Sequence, residues 1–156
     1  MDQFGNYLIF FQKFQNERYS IECFERDFYE AFKIGDTPTD ADKGLEMILS
    51  GVKTATSSLL REYEEEGKKE PWEGSYSIVL NGDGNPSALI RTVKTFIIPF
   101  YQVDEAFAFN YGEWDRNLDS WRANCFKYYS LQCEAQGLTF NENELLLCEE
   151  FELIGF

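Results

Sequence analysis

Lys53 and Thr56 stand three residues apart in the run Ser50-Gly51-Val52-Lys53-Thr54-Ala55-Thr56-Ser57-Ser58, where a single ammonium lies among hydroxyls. Such a pairing can hold an anion or stabilise an oxyanion. It can also activate a hydroxyl, provided that the lysine pKa falls well below about 10.4. The chain has no histidine, which excludes Ser-His-Asp and Cys-His catalysis and leaves Lys, Glu, Asp, Tyr and hydroxyls to move protons. In a regular strand Lys53 and Thr56 diverge to opposite faces, so they share a site only if Lys53 precedes the pleat. Otherwise they read as a surface lysine and a strand threonine.

A second group is Tyr111-Gly112-Glu113-Trp114-Asp115-Arg116-Asn117. It joins acids for proton transfer, aromatics for stacking and an arginine for anion recognition. Asp115 or Asn117 is explained as a helix cap, with Arg116 pairing a nearby carboxylate. Glu113 is not explained that way and is the leading acid. A third group is a cationic island: from Gly84 to Val103 the only charges are Arg91 and Lys94, in a chain with 28 acids and a net charge of -14. If their strand neighbours that of Lys53, the two form a positive patch able to focus a phosphate. The low acid content of strands explains the island equally well.

These residues need elements to carry them. At 156 residues, 44% of them hydrophobic, the chain fits one folded domain with a substantial core. The acidity argues against binding along extended duplex nucleic acid, so any nucleic-acid role is local, on a nucleotide or short single strand. The apolar run Tyr7 to Phe11 is too short for a membrane span and lacks signal-peptide flanks. Cys23, Cys125, Cys133 and Cys148 show no C-x-x-C spacing. They read as reduced thiols in a cytoplasmic protein, with no metal and no cofactor expected.

Residues 3 to 32 read as two short helices with a break near Asn16 to Ser20, one striped by Tyr7, Phe10, Phe11 and Phe14 and the other by Ile21, Phe24, Phe28 and Phe32. Thr37-Pro38-Thr39-Asp40 opens a helix that Gly51 stops. Val52 to Ser58, Tyr76 to Leu80, Ser87 to Ile98 and Leu145 to Ile154 read as strands, with a hairpin at Asn81 to Pro86 and a short helix before Gly67. A helical turn is expected near Glu105 to Phe109 and a long helix from Asn117 to Gln136, with Trp121, Cys125 and Cys133 on its inner side. The expected class is α+β on a mainly antiparallel sheet or barrel.

In this order the segments resemble the ASCH domain family. Gly51-x-Lys53-x-x-Thr56 fits its G-x-K-x-x-T motif. Further matches to its larger bacterial branch are Phe32-x-x-Gly35-Asp36-Thr37-Pro38, Tyr76 to Pro86, Gly112-Glu113-x-Asp115-Arg116-x-Leu118-x-x-Trp121 and Cys148-Glu149-x-Phe151. The resemblance implies a PUA-like β-barrel with flanking helices over residues 29–156, and residues 1–28 as an N-terminal helical extension packed on it. It also implies an RNA- or nucleoside-related role. Some smaller family members remove the acetyl group of N4-acetylcytidine using a lysine, a threonine and a glutamate, which carry over to Lys53, Thr56 and Glu113. This chain departs from them in having Ser57 and Ser58 where they have a basic residue. The resemblance thus points to an amidohydrolase in which Thr56 supplies or positions the nucleophile, Lys53 acts as base or oxyanion stabiliser, and Glu113 protonates the leaving amine. Arg91, Lys94, Arg116, Tyr111, Trp114 and Ser57 are the candidate substrate contacts. The alternatives are a module that binds RNA or a nucleotide without turning it over, and a ribonuclease.

Overall fold

Helix starts and stops fall where polar caps and glycines stand. In the computed structural model, which describes residues 3–15 and 24–156, Thr37 accepts the N–H of Asp40 at 3.1 Å and Pro38 occupies the first helical position. The elements in chain order are α1 (Gln3–Gln15), α2 (Phe24–Asp27), β1 (Phe28–Phe32), α3 (Pro38–Leu49), β2 (Ala55–Leu59) and α4 (Leu60–Glu66). They continue with β3 (Tyr76–Leu80), β4 (Pro86–Pro99), a 3-10 turn (Phe100–Gln102), α5 (Glu105–Tyr111), α6 (Leu118–Ala135) and β5 (Leu145–Gly155). Among the described residues no helix is long and apolar enough to cross a membrane, and no three His, Cys, Asp or Glu side chains are grouped to hold a metal ion.

The five strands form one sheet in the order β1-β3-β4-β5-β2. The β1–β3 ladder is parallel, while β3–β4 and β2–β5 are antiparallel. The class is α+β as expected, but the sheet is not closed into a barrel, because β1 and β2 end it as separate edges. The expected second helix is also corrected. Phe28 to Phe32 is a strand beside β3, and the i, i+4 spacing of Phe28 and Phe32 suits both conformations in so short a run. The break near Asn16 to Ser20, Ile21 and Cys23 lie outside the described residues.

By its contacts the chain divides into two units. The first comprises the described residues of 1–51, 71–94 and 151–156. Here α1 presents Phe10, Phe11 and Phe14 to Tyr76, Ile78, Leu80, Leu89 and Ile154, and Phe11 meets Tyr76 edge to face at 5.8 Å. Ile48 of α3 packs with Ile34, Val79, Ala88, Ile90 and Phe151.

The second unit comprises 52–70 and 95–150. Its core gathers Ala55 and Leu59 of β2, Phe107 and Tyr111 of α5, Leu146 and Cys148 of β5, and the inner stripe Trp121, Cys125, Tyr129 and Cys133 of α6. Phe100 stacks on Trp121 with ring centroids 5.2 Å apart. Ala55, Ser57 and Leu59 share one face of β2, so Ser57 is carried toward this core and Thr56 toward the other face.

Candidate functional site

Lys53 owes its position to the end of one helix and the start of one strand. Gly51, at φ +80, ends α3 in the left-handed region, and the pleat of β2 begins only at Ala55. Lys53 therefore lies in the turn, which meets the condition for it to escape strand alternation.

Its surroundings come from α5. Asp104 caps the start of this helix by accepting the N–H of Phe107 at 2.9 Å, and Gly112 stops it at φ +79. A helix end leaves its last carbonyls without intrahelical donors. Three of them are satisfied here by residues from elsewhere in the unit. Phe109 O accepts from Arg116 Nε at 3.1 Å, Asn110 O from the Thr54 N–H at 2.8 Å, and Tyr111 O from Lys53 Nζ at 3.0 Å. The approach is close: a Cβ on Gly112 would lie 2.5 Å from Val52 O and 2.8 Å from Lys53 Cα.

Lys53 Nζ also donates to Ala55 O at 2.9 Å and to Glu113 Oε2 at 2.8 Å, so every hydrogen of the ammonium is engaged. The ammonium lies 3.6 Å from the centroid of the Tyr111 ring, and the partial negative charge of the α5 C-terminus adds to its stabilisation. The lysine side chain is 0% exposed and that of Glu113 19%. Burial lowers the Lys53 pKa from its ordinary value, and the Glu113 charge and hydrogen bond oppose that shift. With three acceptors in place, Lys53 presents no lone pair. It is arranged as an ammonium that holds and polarises Glu113, and base action requires one of these bonds to open.

Beside the pair is a buried chain of hydroxyls and a thiol. Ser57 Oγ and Tyr129 Oη share a hydrogen bond of 2.5 Å, Tyr111 engages Ser57, and Cys125 engages Tyr111. Burial raises Tyr111 and Tyr129 well above the ordinary tyrosine value, raises Cys125, and pushes Cys148 up to about 12.

These shifts predict a loss of stability in alkali. Unfolded cysteine and tyrosine titrate near about 8.5 and 10, below their folded values, so the unfolded chain releases these protons first. The stabilisation is whole below about pH 8.5 and declines as pH rises toward the folded values. Lys53 acts with the opposite sign, because its lowered folded pKa makes the unfolded state the better proton binder up to about 10.4. With several raised groups against one lowered group, urea midpoints are expected to fall steadily between about pH 8 and pH 10.5. A midpoint that rises over this range would show that Lys53 dominates.

The other sequence candidates are distributed as follows. Thr56 pairs in register with Glu149 and forms no hydrogen bond with Lys53. Tyr111 is buried at 8% exposure, beneath the ammonium, whereas Trp114 is 44% exposed and stacks on Tyr111 with centroids 5.8 Å apart and planes 14° apart. Arg116 is committed to the Phe109 and Val52 carbonyls, with its guanidinium 3.8 Å from the Phe109 ring. Arg91 and Lys94 belong to the first unit, where Arg91 faces Glu152 at 3.5 Å beside a cavity of about 370 Å³. The neighbouring-strand condition for one cationic patch is not met, because β5 lies between β4 and β2 in the sheet. The sequence reading missed the carbonyls of Ala55 and Tyr111 and the Ser57 partner Tyr129. One signal was available: a helix ended by Gly112 leaves bare carbonyls that favour a cation.

Comparison with known proteins agrees with this architecture. A solved ASCH domain from Lactobacillus crispatus JV V101 is 27% identical with a TM-score of 0.88, over 97% of this chain and 96% of that one. The protein EF3133 from Enterococcus faecalis V583 is 29% identical with a TM-score of 0.85, over 98% of this chain and 90% of that one. No curated protein matches the sequence. The family model for the ASCH domain matches residues 30–155, a span that holds the G-x-K-x-x-T turn, the Gly112–Glu113 loop and all five strands but the first two residues of β1. The chain therefore belongs to the ASCH domain family, with its PUA-like α+β fold.

Proposed function

We propose that this protein hydrolyses an acyl amide on a modified nucleoside, with N4-acetylcytidine as the representative substrate. The observation that carries the reading is the 2.8 Å contact between fully buried Lys53 and Glu113, whose side chain is still partly exposed. Such a pair provides a carboxylate to move protons and a fixed positive charge to stabilise a developing oxyanion. Glu113 takes a proton from an attacking water, and the water oxygen bonds to the acyl carbon. Lys53 exchanges one carbonyl partner for the oxyanion. Collapse breaks the C–N bond, Glu113 returns the proton to the leaving amine, and acetate and cytidine are released. The cysteines stay reduced in this reading, which suits a cytoplasmic setting.

Incubation with N4-acetylcytidine, followed by chromatography of released cytidine, tests the reading. Turnover should fall at least about 100-fold in Glu113→Gln, the usual range for loss of a proton-transfer group, and by a similar factor in Lys53→Met, the usual range for loss of an oxyanion donor. Equal rates in wild type and variants would end the assignment. The exposed Trp114 indole favours one other reading, a non-catalytic site for a short single-stranded RNA or nucleotide. That reading predicts salt-dependent binding with neither cytidine nor RNA fragments as product. Release of RNA fragments would instead point to a ribonuclease.

A further inference from the structure

Lys53 and Glu113 stand 60 residues apart in the chain, and each lies outside the helices and strands. A contact of 2.8 Å between two such residues must be held by whatever fastens their loops together. One side chain reaches both sides. Arg116 Nε donates to Phe109 O near the end of α5 at 3.1 Å, and Arg116 Nη2 donates at 3.4 Å to Val52 O, in the peptide group that leads into Lys53. The Arg116 N–H donates to Glu113 O at 3.3 Å, which closes the turn Glu113-Trp114-Asp115-Arg116. The guanidinium lies 3.8 Å from the centroid of the Phe109 ring, a further contact that orients it. Trp114 at φ 55 and Arg116 at φ 59 both adopt the left-handed region, which side-chain-bearing residues resist. The turn is therefore held against its own backbone preference by the contacts that Arg116 makes.

We propose that Arg116 is a positioning residue for the Lys53–Glu113 pair: its fork joins the turn that carries Lys53 to the end of α5, and its backbone closes the turn that begins at Glu113. Its kinetic consequence rests on the amide-hydrolysis reading above, whereas the fastening itself does not. The geometry calls for arginine. Two nitrogens of one planar group reach carbonyls of two separate segments, while a lysine keeps the charge on a single nitrogen and has no such fork. Arg116 thus acts through the pair, and its loss changes how well Lys53 and Glu113 are aimed at each other rather than how much substrate is bound.

Arg116→Lys and Arg116→Ala in the full chain test this in two ways. The first is native-state hydrogen exchange without ligand, followed by NMR. The Thr54 N–H, which donates to Asn110 O at 2.8 Å across the same junction, should exchange about 10-fold faster in both variants, and the N–H groups of Cys125 and Tyr129 in α6 by a smaller factor. Equal factors at all three positions would reduce Arg116 to a general contributor to stability, and unchanged exchange at Thr54 would show that it fastens nothing; either result overturns the proposal. The second is steady-state kinetics with N4-acetylcytidine. The kcat should fall about 10-fold or more in both variants, with KM held within about 2-fold. A raised KM with kcat retained, rescued in Arg116→Lys, would make Arg116 a substrate contact and overturn positioning, as would wild-type kcat in both variants. Absence of turnover in wild type would defeat the nucleoside reading, and hydrogen exchange would still decide the fastening.

Discussion

Replacing Gly112 by alanine is expected to lower stability by about 4 kcal/mol, at the severe end for a single substitution. Two effects combine. The residue adopts φ +79, a region that opposes a Cβ by about 1–2 kcal/mol. The added carbon would also lie 2.5 Å from Val52 O, 2.8 Å from Lys53 Cα and 2.9 Å from Lys53 N, all backbone atoms that no rotamer change can clear. Gly137 provides the matched control, with φ +74 and no atom within 4 Å of its added Cβ. Gly137→Ala should therefore show only the conformational penalty, about 1 kcal/mol. At this chain length 1 kcal/mol corresponds to roughly 2–4 °C, so thermal melts should drop by roughly 8–16 °C for Gly112→Ala and only 2–4 °C for Gly137→Ala. Equal losses would refute the close packing of α5 against Lys53. On the proposed amide hydrolysis, the loss at Gly112 should also remove turnover in the folded fraction, since the displaced loop carries both Tyr111 O and Glu113.

The second large effect concerns the ion pair itself. Lys53→Met retains an unbranched chain of similar bulk but leaves Ala55 O and Tyr111 O without a donor and Glu113 without a counter-charge. Glu113→Gln keeps an oxygen acceptor but strands a fully buried ammonium. Breaking a buried pair from one side costs about 3 kcal/mol or more, and each variant should fall in that range. The exposure of Glu113, 19%, lets it turn to water in Lys53→Met, whereas the lysine has no such exit in Glu113→Gln. The double variant should lose less than the sum, with a coupling of about 2 kcal/mol, because the second change removes the stranded charge left by the first. Urea denaturation of the four proteins closes the cycle. A coupling indistinguishable from zero would mean that the two charges do not hold each other in solution.

Both expectations depend on a meeting that sequence spacing alone cannot show. Lys53 and Glu113 were paired in the sequence only through the family motif, and nothing in their local patterns required a 2.8 Å contact. Local signals were far more legible. The Thr37–Pro38 cap, the Asn117 cap and the stop at Gly51 are seen in the structure, because each needs only residues within one helical turn. The inner stripe of α6, with Trp121, Cys125, Tyr129 and Cys133 buried, follows from helical periodicity in the same way. Phe28 to Phe32 misled for a physical reason: five aromatic-rich residues satisfy helical and strand spacing alike, and the β3 ladder decides between them.

By itself, then, the sequence determined the caps and stops of α3 and α6, the exclusion of histidine chemistry and the family to which the chain belongs, while it left Lys53 between a turn and a strand. The tertiary structure alone decided what surrounds that lysine. It left the sheet open, set β5 between β4 and β2, and removed Arg91 and Lys94 from the strand beside Lys53. It also brought the carbonyl end of α5 onto the ammonium, buried Tyr111 beneath it and left Trp114 outside. The reason is one of range. Caps and periodicity are satisfied within a few residues, whereas a buried charge gathers its partners from wherever the chain can desolvate it and still complete its hydrogen bonds.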